Sequence, residues 1–98
     1  MKIYYDGFEN VDGMMKDFDI TSEELEGVEI LYACYNGGGY DGEAHVIFRK
    51  DGKLYEVNGS HCSCYGLEGQ WKPEETSAEA MLVRPNVATE AKEILSQL

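Results

Sequence analysis

His61, Cys62 and Cys64 fall within four residues, inside the stretch DGKLYEVNGSHCSCYGLEGQWKPEET at residues 51–76. With Cys34 and His45 they make up every cysteine and histidine of the chain. Together with Cys34 or His45, the three could supply four ligands to zinc. The spacing opposes this. A zinc knuckle separates its cysteines by two to four residues, and here one residue intervenes. Residues two apart in an extended strand lie about 6.6 Å from each other. Two sulfurs on one zinc must each come within about 2.3 Å of it, so the backbone would have to bend sharply. Gly59 and Gly66 permit such a bend. The plainer reading is that these cysteines are small buried hydrophobes, so no metal and no cofactor is expected. A Cys62–Cys64 disulfide would sit near the ~6.8 Å limit for bridged Cα atoms, which makes it strained and labile. A zinc- or thiol-dependent role for His61, Cys62 and Cys64 therefore stands as an alternative.

A cysteine nucleophile needs a base and a group that orients the base. His61 or His45 could be the base and Glu56 the orienter. Neighbouring His61 and Cys62, however, point to opposite sides of a strand. A short chain must also build both a core and a cleft. No enzyme is expected on these grounds.

The aromatic residues carry two readings. Trp71, in GQWKPEE, suits a lid packed over a sheet, because aromatics supply much of a core's area. It also suits a binding anchor. Tyr35, Tyr40 and Tyr65 lie in glycine-rich loops and are candidates for exposed contacts. No basic groove accompanies them, which excludes a nucleic-acid stacking platform. Gly37, Gly38 and Gly39 lack the Lys-Ser/Thr partner of a phosphate loop, and no helix follows them.

The elements that must position these groups are legible in part. Residues 2–5 read as a first strand. Asn10 caps a helix with Val11, Met14, Met15 and Phe18 on one side, a stripe that Gly13 weakens. Thr21 and Glu24 match a capping box, and the short turn they start ends near Gly27. Residues 29–35 and 43–49 read as strands joined by the turn at 36–42. Asp51-Gly52 favours a type I′ turn, which sets the register of a hairpin. Arg49 then faces Leu54, Phe48 faces Tyr55, Ile47 faces Glu56 and Val46 faces Val57. Phe48, Tyr55, Val46, Val57 and Ala44 share the core face. Arg49, Leu54, Ile47, Glu56 and His45 share a mixed, partly exposed one. A second capping box over residues 76–79 starts a helix that Pro85 stops. Asn86 caps a last helix carrying Val87, Ala91, Ile94, Leu95 and Leu98. The expected fold is α+β: an antiparallel meander of three to four strands, with two to three helices packed on one face.

Ninety-eight residues, 43% of them hydrophobic, suit one domain over residues 1–98. No apolar run reaches a membrane span, and the N-terminus lacks the apolar core of a secretory signal. Three cysteines, an odd number, argue for reduced thiols and a cytoplasmic setting. The formal charge is −11 and is uneven. Residues 1–30 hold nine acids and two bases, net −7, while residues 31–66 are close to neutral at −1. Such a field repels nucleic acid and acidic membranes and attracts basic protein surfaces. Solubility alone is the bland explanation of the same charge.

The segment at residues 27–76, most of all LYEVNGSHCSCYGLEGQW at 54–71, resembles a group of small uncharacterised proteins of phages, prophages and bacteria. The resemblance implies a phage-type origin, which would place the protein in the host cytoplasm, and an α+β domain. It carries no catalytic residue. In composition the chain is similar to anti-CRISPR and anti-restriction inhibitors. The expected function is binding to a basic host protein, a nucleic-acid-binding defence or transcription factor, as a DNA mimic. The alternative is an accessory interaction protein without mimicry. A homodimer is compatible with either, and direct nucleic-acid or membrane binding is not expected. The partner-binding candidates are Asp17, Asp19, Glu23, Glu24, Glu26 and Glu29, with Tyr35, Tyr40, Tyr65 and Trp71. Duplex DNA carries a charge per about 1.7 Å, so seven net charges would imitate only about 12 Å of its axis.

Overall fold

The computed structural model describes residues 4–8, 10–36, 42–61, 66–84 and 87–97. The order is β1 (Tyr4–Asp6), α1 (Val11–Phe18), a 3-10 turn (Ser22–Leu25), β2 (Val28–Asn36), β3 (Gly42–Lys50), β4 (Lys53–His61), β5 (Glu74–Thr76), α2 (Ala78–Leu82) and α3 (Thr89–Ser96). β2 to β5 form an antiparallel meander, and β1 adds to its edge parallel to β2. The fold is α+β, as the sequence predicts.

Local signals act as expected in the first half. The Asn10 side chain accepts from the Gly13 amide at 3.0 Å and starts α1. α1 ends at Asp19, whose φ of 57° is left-handed, while the Ile20 amide donates to the Met15 carbonyl at 3.0 Å. A short polar side chain is one of the few that tolerates this conformation. The capping box closes as predicted: Thr21 donates from its amide (2.9 Å) and its hydroxyl (2.7 Å) to Glu24. At the tip of the β3–β4 hairpin Asp51 and Gly52 have φ of 53° and 77°, the two positive angles of a type I′ turn. The resulting register is the predicted one, with Phe48 opposite Tyr55 and Ile47 opposite Glu56. Gly52→Val should cost about 1–2 kcal/mol, the strain of a branched side chain at positive φ. A urea melt with an unchanged midpoint would contradict that.

Two cores lie on opposite faces of the sheet. One gathers Ala44, Val46, Phe48 and Val57 beneath Met14 and Phe18 of α1, with Leu67 and Phe8 beside them. Trp71 closes it as a lid, stacked on Phe48 at 5.8 Å and edge-on to Phe18 at 5.2 Å. The other gathers Tyr32 and Ile47 beneath Met81 of α2 and Ala91 and Leu95 of α3, with Val87 between the helices. The helices therefore cover both faces rather than the one expected. The face read as mixed and partly exposed holds Ile47 at 1% exposure and Glu56 at 6%. Tyr32, Ile47 and Leu54 supply enough apolar surface there to seat two helices.

Two further expectations change. Thr76 does not cap α2. It pairs with Leu54 in β5, a strand that the sequence patterns do not announce, and Ser77 caps instead by accepting from the Ala80 amide at 3.1 Å. The N-cap of α3 is Ala88, without a side-chain cap bond. Asn86, Pro85 and Leu98 lie outside the described residues.

The sheet has one irregularity, in β2. Its register against β3 slips by one residue between Ile30 and Tyr32. Ile30 faces Phe48, but Tyr32 faces Ile47, so Leu31 is the extra residue of a bulge. A one-residue slip exchanges the faces of everything beyond it. Cys34 thereby lies opposite His45 and packs on the α2–α3 side, while Tyr35 packs on the α1 side.

Candidate functional site

The six acidic candidates are all exposed and follow one another along a short path. Asp17 and Asp19 end α1, Glu23, Glu24 and Glu26 span the 3-10 turn, and Glu29 lies near the start of β2. They are not equally available. Glu24 is held by Thr21, whose hydroxyl and amide keep its carboxyl below the ordinary range. Glu29 accepts from Arg49 Nε at 3.0 Å. The strand register also places Lys50 opposite Val28. Two cations thus border the acidic path, which residue counts along the chain do not reveal.

The aromatic candidates divide. Tyr35 is half-buried, its ring 5.2 Å from Phe8. Burial first, then the charges of Asp17 and Glu68, push its hydroxyl above the ordinary tyrosine value. Tyr35 therefore belongs with Asp17 on the α1 side. Trp71 is a lid on the core. Tyr40 and Tyr65 lie outside the described residues, as do Cys62, Cys64 and the side chain of His61. Among the described residues no three histidine, cysteine or acidic side chains gather as metal ligands. Gln70 ties the end of β4 to Gly66. Its amide donates to the Ser60 and Gly66 carbonyls at 2.6 and 2.7 Å, and its oxygen accepts from the Ser60 amide at 2.7 Å.

A second group forms on the opposite side of the sheet. Glu56, in the middle of β4, is almost wholly buried. Its Oε1 accepts from Arg84 at 2.8 Å, His45 Nε2 at 3.1 Å and Asn58 Nδ2 at 3.2 Å. Burial alone would raise its pKa, but these bonds outweigh burial and hold the carboxyl below the ordinary range. Burial in turn holds His45 below its ordinary value, against the pull of Glu56, and Arg84 adds to the lowering. Glu56 is thus ionised and His45 neutral at pH 7. An ionised carboxylate only accepts, so the proton of His45 sits on Nε2, and Nδ1 is an acceptor without a hydrogen-bond partner among the described residues. Arg84 Nε is buried without a hydrogen-bond partner among the described residues.

A cleft of about 590 Å³ opens beside this group, within the range of small-molecule sites. Cys34, His45, Asn58 and Arg84 line it, with Tyr32 and Glu43. Cys34, His45 and Asn58 form one row across β2, β3 and β4. The sequence offered His45 as a base and Glu56 as its orienter. Glu56 does bind His45, but the cysteine across the strand from His45 is Cys34, outside the His61–Cys64 motif. Its signal was unreadable in the sequence, because the β2–β3 register depends on the bulge at Leu31. No protein-family model, no curated protein and no solved structure matches this chain.

Proposed function

We propose that the chain is a small acidic binding protein of phage type that engages a basic surface on a host nucleic-acid-binding protein, of the kind acting in defence or transcription, and so blocks it. The observation that carries this reading is the exposure of all six carboxylates from Asp17 to Glu29 along one path. Asp17, Asp19, Glu23 and Glu26 are the ones left to meet a partner, since Glu24 caps the 3-10 turn and Glu29 holds Arg49. With Arg49 and Lys50 alongside, the net charge suits one recognition patch better than a long stretch of duplex. Tyr35, beside Asp17, is the aromatic best placed to join the contact.

The test is an Asp17→Asn, Asp19→Asn, Glu23→Gln, Glu26→Gln variant. Asn keeps the left-handed position 19 available, and Glu24 is untouched, so the fold is retained. A host protein captured by the native chain should associate at least about 10-fold more slowly with the variant at low salt. The difference should close toward 1 M salt, where the screening length is about 3 Å. Equal association at low salt removes the acidic path from the binding site. A captured protein that still binds its nucleic acid normally in the complex removes the blocking role.

A further inference from the structure

We propose that Cys34 is an activated nucleophile that accepts acyl groups from small esters or thioesters in the cleft it lines with His45, Asn58 and Arg84. The site goes beyond the binding role, and none of the acidic-path residues takes part in it.

The bulge in β2 decides which way Cys34 faces. Without the extra residue Leu31, continuation of the Ile30–Phe48 register would set Cys34 opposite Ala44, on the α1 side. The bulge turns it to face His45 on the other side, and bulges characteristically re-aim side chains in this way. Directly opposed residues have their Cβ atoms about 4.5–5.5 Å apart. Cys34 and His45 make no hydrogen bond in this structure, and Nδ1, the ring nitrogen nearer the backbone, is the one that a turn of the two side chains toward each other brings to the thiol. That nitrogen is the unprotonated acceptor, because Nε2 donates to Glu56. Glu56 is fixed in turn by Arg84 and Asn58. Thiol, base and orienter thus follow one another in the order that nucleophilic catalysis requires.

The surroundings suit an acyl group. Cys34 is a free thiol and only partly buried, so a substrate reaches it. The cleft presents the Asn58 amide and the Arg84 guanidinium, both of which keep N–H donors beyond those given to Glu56. These can meet the negative charge that develops on a carbonyl oxygen. The step balances without an outside oxidant or reductant. Cys34 passes its proton to His45 Nδ1, and its sulfur bonds to the carbonyl carbon. The bond to the alkoxide or thiolate breaks, and the leaving group takes the proton from His45. Water then adds to the thioester, releasing a carboxylic acid and restoring the thiol. Here Cys34 and His45 are the catalytic residues, and Glu56 is a positioning residue.

The probe is p-nitrophenyl acetate on the full chain, read by released nitrophenol and by mass mapping of the acetylated cysteine. The expected result is one acetyl group on Cys34, absent in Cys34→Ala. His45→Gln, with circular dichroism and tryptophan emission unchanged, should slow Cys34 acetylation at least about 10-fold. Should that variant not fold, the native chain decides alone. At pH 7 Cys34 should be acetylated at least about 10-fold faster in the native chain than in the same chain unfolded in urea. Glu56→Gln should lower the limiting acetylation rate without raising the ester concentration that half-saturates it, which a purely structural residue would not do. Acetylation confined to Cys62 and Cys64, an equal rate at Cys34 in a folded His45→Gln variant, or a native rate at pH 7 no faster than the unfolded one overturns the proposal.

Discussion

Phe18→Ala is expected to destabilise the protein by about 3–5 kcal/mol, the range for removing a buried aromatic ring from a core. Phe18 has no exposed surface. It ends α1, packs 6.1 Å from Phe8 and meets the edge of Trp71 at 5.2 Å. It also lies against Gly59, where an added Cβ would come within 3.3 Å of its ring, so β4 and α1 are in close contact there. Helix α1 is only eight residues long and contains a glycine, so it depends on this packing rather than on its own propensity. The single tryptophan reports the change. Emission should move to longer wavelength as Trp71 loses its cover, and the urea midpoint should fall with little change in slope. A loss below about 1 kcal/mol would mean that α1 is not held to the sheet as described.

The second large effect is at Glu56. Glu56→Ala should cost about 3 kcal/mol, the lower end for breaking a buried ion pair. The lower end applies because the Arg84 side chain is 38% exposed and can recover water, whereas His45 and Asn58 simply lose an acceptor. Glu56→Gln keeps the volume and one acceptor and should cost about half as much, since bonds to charged groups are roughly twice as strong. The same cluster makes the protein sensitive to acid, and both titrating groups act in one direction. Glu56 has a folded pKa below the ordinary 4.5. Its contribution is complete above that value and is lost as pH falls through the folded pKa. His45 has a folded pKa below the ordinary 6.5. Between the folded value and 6.5 the unfolded chain binds the extra proton, so stability declines as pH drops through this window. Stability should therefore begin to fall near pH 6.5 and fall further below 4.5. His45→Gln should abolish the upper part alone. Denaturation midpoints that stay level from about pH 7 to about pH 5 would contradict the burial of neutral His45.

The two effects differ in how far the sequence announced them. Phe18 stands at the end of an apolar stripe opened by Asn10, and a helical period of about 3.6 is enough to direct it inward. Phe48 and Tyr55 were legible for another reason: Asp51-Gly52 accepts the positive φ angles of a tight hairpin, and the turn alone fixes every pair behind it. Their rings do stack, 5.3 Å apart. Glu56 was legible as the partner of Ile47 and as an orienter for His45, but not as a buried group. A carboxylate on the second face of a sheet reads as solvent-facing until the elements that cover it are known. Those elements, α2 and α3, come from the far end of the chain. Their return across the second face depends on the apolar surface of Tyr32 and Ile47.

The sequence by itself determined the α+β class, the β3–β4 register, the caps of α1 and of the 3-10 turn, and the concentration of acid near the N-terminus. Each follows from chemistry acting over a few residues: a turn that tolerates positive φ, a side chain that reaches a nearby amide, or a simple count of charge. Only the tertiary structure decided the rest. It set Arg49 and Lys50 beside the acidic path, carried Arg84 onto Glu56, and placed Cys34 across from His45. These are contacts between distant parts of the chain. The last depends on one extra residue, Leu31, in β2. The register is chosen by which side chains two separate cores can bury.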